Sequence, residues 1–411
     1  MQGLYWLRSD LRLRQNKTLE QFKTECKSGL IIWCPTKSYN RASQFRKSFI
    51  DDCVLQFSKS LEPYQQLVVV ETQSITHVLN DYIQKYKIEK VFCTAEYAID
   101  EVNEEKTVYK ICQENKIQFE NFDQNTLITE SNLPFLLADM PFVFTNFRKK
   151  IEVNLKVNSL VQTSDIYPEA LIKKATNSLN DKKLVLFKGG EQAALSRLQH
   201  YLWGSDAIQT YKETRNGMID LDDSSKFSPW LSTGCLSAVQ IYHEIKKYEF
   251  EICANDSTYW LIFELLWRDY FKFFSKKYGY QLFSESGVTT GDKTFRKMSA
   301  VQLKFFNQWC EGVTPDDFVN ANMLELKNTG WMSNRGRQNV ASYLIHDLNV
   351  KWTLGASYFE KMLIDYDPDS NWGNWLYLSG QGSDPRSRKF NTQKQADDYD
   401  SSGNYRRKWL G

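Results

Sequence analysis

The chain has 411 residues, of which 42% are hydrophobic and 14% aromatic, so it is long enough to build two domains with sizeable cores. Its 52 Lys and Arg residues nearly balance 50 Asp and Glu residues, so net charge does not indicate a nucleic-acid-binding protein and any basic site must be local. The eight cysteines include no CxxC pair and the four histidines are scattered, so the sequence predicts no metal site. No apolar run reaches membrane-spanning length and no signal peptide is indicated, so we expect a cytoplasmic protein with reduced thiols.

Residues 1–125 alternate short apolar runs with helical patterns. The predicted strands are 4–8, 30–34, 67–71, 91–95 and 117–122. This rhythm is typical of βαβ units, so it predicts a Rossmann-like parallel sheet with helices on both faces. No GxGxxG follows the first strand, so the usual dinucleotide fingerprint is missing and the fold by itself does not identify a ligand.

The remainder of the chain is predicted to be helical. Residues 126–185 lack a steady period and contain polar and proline-containing pieces, which is typical of a connector between domains. From residue 186 strand patterns disappear and helical periodicity dominates. We therefore predict a two-domain protein: an α/β domain at 1–125, a connector at 126–185 and an all-helical domain at 186–411.

One predicted helix, over residues 334–348, begins with an unusual group of polar side chains. Its first turn contains Asn334, Arg335 and Arg337. A cation there gains nothing from the helix dipole, so an external anion or a carboxylate is a better partner. Asp365 and Asp367 are both available as that carboxylate. The alternative is a core helix with a solvated basic start.

Hydroxyl groups converge in the segment DDSSKFSPWLSTG, residues 222–234. Its serines precede Pro229, a residue favoured in the first turn of a helix, so hydroxyls and free backbone N–H groups meet at a helix N-terminus. Such a terminus can hold a phosphate. An ordinary capping cluster is the alternative.

The run TYWLIFELLWRDYFKFF, residues 258–274, predicts a helix with an aromatic face. Trp260, Glu264, Trp267 and Phe271 follow one another at steps of four, three and four. A carboxylate buried among these rings must pair, neutralise or meet a ligand. The alternative is that Glu264 pairs with Arg268 and the tryptophans belong to the core.

Basic residues are interleaved with aromatic ones near the C-terminus. They are Arg386, Arg388, Lys389, Lys394, Arg406, Arg407 and Lys408. This pattern fits a surface that follows a nucleic-acid backbone and stacks on bases, and a solvated tail is the alternative.

Several segments resemble those of one family and run in that family's order through nearly the whole chain. They are LYWLRSDLRLRQNKTL, VFTNFRKKIE, YKETRNG, SSKFSPWLSTGCLS, ELLWRDYF, TGWMSNRGRQNVASYL, SNWGNWLY and RKFNTQKQADDYD. On these segments the chain is similar to the photolyase/cryptochrome family. VFTNFRK and NRGRQNVAS favour the DASH cryptochromes within it.

The resemblance implies a U-shaped FAD in the helical domain. By matching position, the phosphates and ribityl chain would contact Tyr211, Ser224, Ser225, Lys226, Phe227 and Ser228. Arg337 and Asp365 would form an ion pair beside the flavin ring, with Asp367 at the same edge. Asn371 would face flavin N5, where a neutral amide tolerates the reduced anionic flavin.

The resemblance also implies that a cyclobutane pyrimidine dimer is flipped out of DNA into a cavity above the flavin. The catalytic set would be Glu264, Trp267 and Asn334, and the DNA contacts would be Arg215, Arg268, Arg335, Gln338, Tyr377 and Gln395. Gln338 and Tyr377 stand where ordinary photolyases carry Met and Trp. We therefore expect weaker capture of a dimer from intact duplex.

Two further expectations concern electron and energy transfer. The family's tryptophan wire would run from Trp375 to Trp352, but its third position is Ser299, so the wire could end at Trp309 or at a surface tyrosine. The stretch EVNE resembles the family's folate-contacting stretch, which makes Glu101 and Glu104 candidates for binding a methenyltetrahydrofolate antenna. A solvated helix face is the alternative for these two carboxylates.

We predict light-driven repair of pyrimidine dimers by electron transfer from photoexcited, reduced FAD. The expected partner is UV-damaged DNA, mainly single-stranded or looped, and we expect the protein to act as a monomer. The alternatives are a blue-light photoreceptor that signals to a partner and a flavin protein that only carries electrons. Because the chain ends at its core domain, the sequence favours the enzyme.

Overall fold

The computed structural model describes residues 1–172, 186–289, 297–383 and 388–411. The predicted connector therefore lies partly outside the described residues, at 173–185, and so does Arg386 of the predicted basic surface.

The N-terminal part is built on one parallel sheet. Its strands are β1 (Gln2–Leu7), β2 (Ser28–Trp33), β3 (Leu67–Val69), β4 (Lys90–Thr94), β5 (Gln118–Phe122) and β6 (Glu169–Ala170). The strand order is β3-β2-β1-β4-β5, and β6 pairs with β2. The five predicted strands and the α/β class are confirmed. The two-residue strand β6 was missed because two residues carry no periodicity.

Eighteen α-helices lie in the described ranges. They are α1 (Lys17–Glu25), α2 (Lys37–Arg41), α3 (Gln44–Leu61), α4 (Ile75–Tyr86), α5 (Ile99–Glu114), α6 (Phe144–Glu152), α7 (Glu191–Gln199), α8 (Tyr211–Thr214), α9 (Ser228–Thr233), α10 (Ala238–Glu251), α11 (Asp256–Tyr278), α12 (Ala300–Glu311), α13 (Asp317–Thr329), α14 (Asn334–Ser342), α15 (Trp352–Met362), α16 (Pro368–Leu378), α17 (Thr392–Tyr399) and α18 (Asn404–Leu410). From α7 onward the described chain is helical, as predicted. The domain boundaries at 125 and 185 stay predictions.

The sheet is buried on both faces. Tyr5, Ile31 and Phe92 share one core with Phe22 of α1 and Phe49 of α3. Their strand neighbours point the other way and form a second core with helices α4 and α5. Burial on both faces explains why the strands read as continuous apolar runs rather than as alternating ones.

Helix α11, the longest helix described, packs against α6, α8, α10 and α16. It begins at a capping box, in which the side chain of Asn255 accepts hydrogen bonds from the N–H groups of Ser257 and Thr258. It ends before Gly279, whose φ of +51° favours glycine. The aromatic helix predicted over 258–274 is therefore confirmed.

The two domains touch closely where β1 ends. Gly234 has a φ of +70°, and a Cβ there would lie 1.9 Å from the carbonyl oxygen of Ser9, so only glycine fits. Arg12 donates a hydrogen bond of 2.8 Å to the Gly234 carbonyl. Asp269 of α11 accepts hydrogen bonds of 3.0 Å from the backbone N–H groups of Leu127 and Ile128. No helix in the described ranges is both long and apolar enough to cross a membrane.

Candidate functional site

A cavity with an empty volume of about 1090 Å³ opens between helices α8, α9, α11 and α14. We refer to it as the main cavity. Most of the predicted cofactor residues line it, together with four predicted DNA or dimer contacts. These lining residues are Tyr211, Arg215, Ser224, Ser225, Lys226, Phe227, Ser228, Glu264, Arg268, Asn334, Arg337, Asp365 and Asp367.

One end of the main cavity is rich in hydrogen-bond donors. Helix α9 begins at Ser228 with Pro229 in its first turn, as predicted. Lys226 is only 8% exposed, and no carboxylate in the described residues forms an ion pair with it. Burial lowers the pKa of Lys226. A buried ammonium group with hydroxyls around it is suited to an anionic ligand such as a diphosphate.

Arg197 of α7, which was not predicted as a site residue, fixes the shape of this loop. Its guanidinium donates to the carbonyl oxygens of Leu221, Ser224 and Ser225 at 3.1, 3.0 and 2.9 Å, and it pairs with Asp222 at 2.5 Å. Because the contacts go to backbone carbonyls, only the folded loop identifies this arginine.

Arg337 and Asp365 form the predicted ion pair. Nη2 of Arg337 donates to both carboxylate oxygens of Asp365, at 3.0 and 2.8 Å, and Nε donates to the Met332 carbonyl at 2.9 Å. The Asp365 side chain is 1% exposed. Of the two carboxylates that the sequence offered, Asp365 is therefore the partner of Arg337.

Asp367 instead faces Lys272 of α11. Lys272 Nζ lies 3.2 Å from Asp367 and 3.1 Å from Asp369; the side chains of Lys272 and Asp369 are buried, and that of Asp367 is 12% exposed. Burial alone would raise the pKa of Asp367, but Lys272 and Arg268 hold it at about 2. Burial raises the pKa of Asp369 to about 6, because one lysine cannot fully compensate two carboxylates.

A smaller side cavity of about 530 Å³ adjoins the main cavity and shares Asn334, Arg337 and Asp365 with it. Gln338, Asn371 and Trp375 line the side cavity. The side-chain nitrogen of Asn371 donates to the Ala356 carbonyl at 3.1 Å. This bond fixes the rotamer of a neutral amide at the cavity wall.

Glu264 of α11 pairs with Arg215, which lies just after α8. The alternative that Glu264 pairs with Arg268 is wrong, because Glu264 pairs with Arg215 and Arg268 donates to the Asn125 carbonyl at the domain junction. About 31% of the Glu264 side chain stays exposed, and it faces the cavity. Burial raises the pKa of Glu264 and Arg215 acts against that rise.

Trp267 lies outside the lining of both cavities. Its ring stacks on Phe144 of α6 with 3.6 Å between centroids, and it contacts Tyr377 edge-on at 5.8 Å. Arg388 lies over the Tyr377 ring at 4.6 Å and donates to its hydroxyl. The structure thus brings Trp267 and Tyr377 into one aromatic cluster beside α11.

A second cluster surrounds Arg335. Its guanidinium donates to Gln338 at 3.1 Å, to Gln395 at 3.4 Å and to Asn216 at 2.9 Å, and it lies 4.6 Å from the Tyr399 ring centroid. Burial lowers the pKa of Arg335. Three predicted DNA contacts, Arg335, Gln338 and Gln395, therefore meet at one place, although they lie on two helices.

Two of the C-terminal basic residues form ion pairs with carboxylates. Lys389 pairs with Asp347 at 2.6 Å, and Arg406 pairs with the buried Asp400 at 2.9 Å. Lys394, Arg407 and Lys408 are exposed.

Glu101 and Glu104 lie at a cleft on the carboxyl edge of the sheet. This sheet-edge cleft has an empty volume of about 1120 Å³, and most of the residues that line it are of polar type, among them Thr36, Ser74 and Asn103. Burial raises the pKa of Glu101 to about 8 and also raises that of Glu104.

Comparison with known proteins matches both the N-terminal and the C-terminal part of the chain to models of one family. Residues 3–165 match the family model for DNA photolyase, and residues 260–411 match the model for the FAD binding domain of DNA photolyase. Cryptochrome DASH from Danio rerio is 40% identical, covering 98% of this chain and 82% of that protein. Cryptochrome DASH from Synechocystis is 38% identical, covering 99% of this chain and 87% of that protein.

The chain belongs to the DASH cryptochromes of the photolyase/cryptochrome family. A solved structure agrees: the Synechocystis cryptochrome superposes with a TM-score of 0.92 at 37% identity, over 100% of this chain and 88% of that one. The cofactor is FAD. The main cavity fits it, since a buried cation and hydroxyls suit the diphosphate, and the side cavity offers a fixed amide and an ion pair beside the space for a ring.

Lys272 was not predicted as a site residue, although the spacing of charged residues along α11 could have indicated it. Glu264, Arg268 and Lys272 recur at intervals of four residues, so they follow one line along α11. Asn216, by contrast, has no signal of its own, because its partner Arg335 lies 119 residues away.

Proposed function

We propose that this protein repairs cyclobutane pyrimidine dimers in single-stranded or looped DNA under light. When bound, photoexcited reduced FAD supplies the electron that splits the dimer and then takes it back. The residues of the chain bind the dimer, orient it and exclude water. The observation that supports this proposal most directly is that Glu264 and Asn334 line the same cavity as the cofactor residues Lys226 and Arg337.

Glu264 is suited to hold the edge of a pyrimidine. Its carboxylate oxygens can accept from a ring N–H, and burial shifts its pKa toward the protonated form, which can also donate to a base carbonyl. Arg215 holds this group while no DNA is bound. When a dimer forms hydrogen bonds with Glu264 in place of Arg215, the Arg215 guanidinium becomes available to a DNA phosphate.

Gln338 and Tyr377 support the preference for single strands. Each accepts a hydrogen bond from an arginine, Gln338 from Arg335 and Tyr377 from Arg388. Polar groups held in this way leave less apolar surface for stacking, which contributes roughly 1–3 kcal/mol per base. Extrusion from a duplex costs a few kcal/mol, so a strand that is already single is favoured.

A repair assay on matched single-stranded and duplex oligonucleotides, each with one dimer, tests this function at fixed ionic strength. We expect light-dependent dimer loss mainly on the single strand. Glu264→Ala should lower the yield while FAD is retained. The double variant Gln338→Met/Tyr377→Trp should gain on duplex. No dimer loss above the dark control contradicts the proposal, and light-dependent partner binding without repair would favour a photoreceptor.

We further propose that the sheet-edge cleft takes a methenyltetrahydrofolate antenna. With a pKa of about 8, Glu101 is mostly protonated at neutral pH and can donate a hydrogen bond to a pteridine ring. Folate titration followed by absorbance should show binding to the wild type and at least tenfold weaker binding to Glu101→Ala. Equal affinities would remove Glu101 from the site.

A further inference from the structure

Trp375 lines the side cavity and is almost fully buried, so an electron that it gives up must be replaced from within the protein. Its ring contacts two others. Trp309 lies edge-on at 6.2 Å between centroids with an interplanar angle of 76°, and Phe359 lies at 5.1 Å. Of the two, only the indole of Trp309 is readily oxidised.

Trp309 leads on to Tyr358. It is fully buried, and its Nε1 donates to the Val340 carbonyl at 3.0 Å, which fixes the ring. The Tyr358 ring lies 5.6 Å from the Trp309 ring. Electron tunnelling falls steeply with distance, so contacts of this kind are effective steps between an internal and an external donor.

Tyr358 has the surroundings of a terminal donor. Its side chain is partly exposed, and its hydroxyl donates to the Cys310 carbonyl at 3.0 Å. Burial raises the pKa of this phenol, so it keeps its proton in the resting protein. Once the ring has lost an electron, the phenol becomes strongly acidic and water can take the proton.

The path through Trp352, which the family resemblance implies, has no readily oxidised residue at its outer position. Trp352 makes its ring contact with Trp372, at 5.9 Å, and no ring contact joins it to Trp375 within the described residues. The third position of the family's wire is Ser299, an exposed N-cap whose hydroxyl accepts from the Gln302 N–H at 3.2 Å. A serine hydroxyl is far harder to oxidise than an indole or a phenol.

We propose that Trp309 and Tyr358 form the path by which electrons reach Trp375 from the surface, with Tyr358 as the last residue oxidised. One electron passes from Trp375 to the photoexcited cofactor, one from Trp309 to Trp375 and one from Tyr358 to Trp309. Tyr358 releases its hydroxyl proton to water, which leaves a neutral tyrosyl radical. A small external thiol then returns one electron and one proton to it.

Electron paramagnetic resonance on FAD-loaded, DNA-free protein, frozen under blue light without thiol, tests this path. We expect a tyrosyl radical in the wild type and its loss in Tyr358→Phe and in Trp309→Phe. Trp352→Phe and the control Tyr280→Phe, at a tyrosine that is 72% exposed, should keep it. With thiol present, reduction of the cofactor under light should slow at least fivefold in Tyr358→Phe.

Tyr358→Phe decides the question, because it keeps the ring and removes only the hydroxyl, and retained FAD confirms that it folds. A tyrosyl signal that persists in this variant overturns the proposal, and so does a signal that Trp352→Phe abolishes. The path depends on FAD but not on DNA repair. Since no DNA is present, this result is independent of the repair assay.

Discussion

Arg215 and Glu264 form an ion pair on the wall of the main cavity, although they lie 49 positions apart in the chain. Arg215 follows the short helix α8 and Glu264 lies in the middle of α11, so the pair joins two walls of the cavity. Arg215 acts against the rise in the pKa of Glu264 that burial causes. The ion pair therefore sets the charge of the carboxyl that we propose to hold the dimer.

Arg215→Gln should raise the pKa of Glu264 further. A carboxyl whose pKa is raised by folding contributes stability that is present below its unfolded pKa and is lost as pH rises through the folded pKa. The variant should therefore lose stability relative to wild type as pH rises through the pKa of Glu264, by about 1 kcal/mol, the low end for an unpaired acceptor, because about 31% of this side chain is exposed. Urea unfolding over a pH series measures this. In the double variant Arg215→Gln/Glu264→Gln, the pH dependence that Arg215→Gln adds to the free energy of unfolding should vanish. If it persists, the Arg215–Glu264 pair is not its source.

Asp365→Asn should weaken FAD retention. Asp365 is buried and accepts both hydrogen bonds from Nη2 of Arg337, so the change leaves a cavity-lining cation without its counter-charge. Breaking a buried ion pair in this way typically costs about 3–5 kcal/mol. The FAD-to-protein ratio after gel filtration should fall, whereas Asp81→Asn, at an exposed position of α4, should retain the cofactor. Equal ratios in both variants would show that the pair does not support the FAD site.

The elements predicted best were those whose apolar residues repeat over many positions. Strands β1 and β2 were continuous apolar runs, and α11 had a helical period through an aromatic stretch, so local pattern was sufficient. Arg337 was expected to meet a carboxylate because a cation in the first turn of a helix lacks a local partner. That Arg337 pairs with Asp365 and not with Asp367 could be seen only in the folded structure, because Asp367 forms an ion pair with Lys272 of α11.

Contacts between distant elements had no signal in the sequence. The stacking of Trp267 on Phe144 was not predicted, because Phe144 lies in α6, far from α11 in the chain. The hydrogen bond from Arg268 to a backbone carbonyl 143 residues away was not predicted either, and the roles of Trp267 and Arg268 toward a substrate stay predictions. Backbone carbonyls are present at every position, so composition and spacing cannot single one out as a partner.

Asp269→Asn should loosen the junction between the domains. The carboxylate accepts from the N–H groups of Leu127 and Ile128, and an amide would place its NH₂ group against one of these donors. Leaving a buried N–H unpaired costs about 1–3 kcal/mol. We expect a lower unfolding midpoint in urea and faster hydrogen exchange at residues 127 and 128. The exposed control Asp317→Asn should change neither, and an unchanged midpoint in Asp269→Asn would contradict the anchoring role.

The C-terminal helix α18 is held by a buried carboxyl that titrates near neutral pH. The Tyr405 hydroxyl lies 2.6 Å from Glu325 and 3.1 Å from Asn322, both of α13, and all three side chains are buried. Burial raises the pKa of Glu325 from its ordinary value of 4.5 to about 7, and the hydrogen bond from Tyr405 acts against that rise. Because folding raises this pKa, the contribution of Glu325 to stability is present at acid pH and is lost as pH rises through about 7.

Glu325→Gln should therefore become more stable relative to wild type as pH rises from about 5 to about 8, because the amide cannot ionise. Tyr405→Phe should lose about 1–3 kcal/mol, since it leaves the buried carboxyl without its donor, and the loss should be larger at the higher pH. Urea unfolding of each variant against wild type over this pH range isolates the effect from other titrating groups. Glu311→Gln, which changes an exposed carboxylate paired with Lys327, is the matched control and should show a constant difference from wild type. If Glu325→Gln also shows a constant difference, the titration of Glu325 is not linked to the docking of α18.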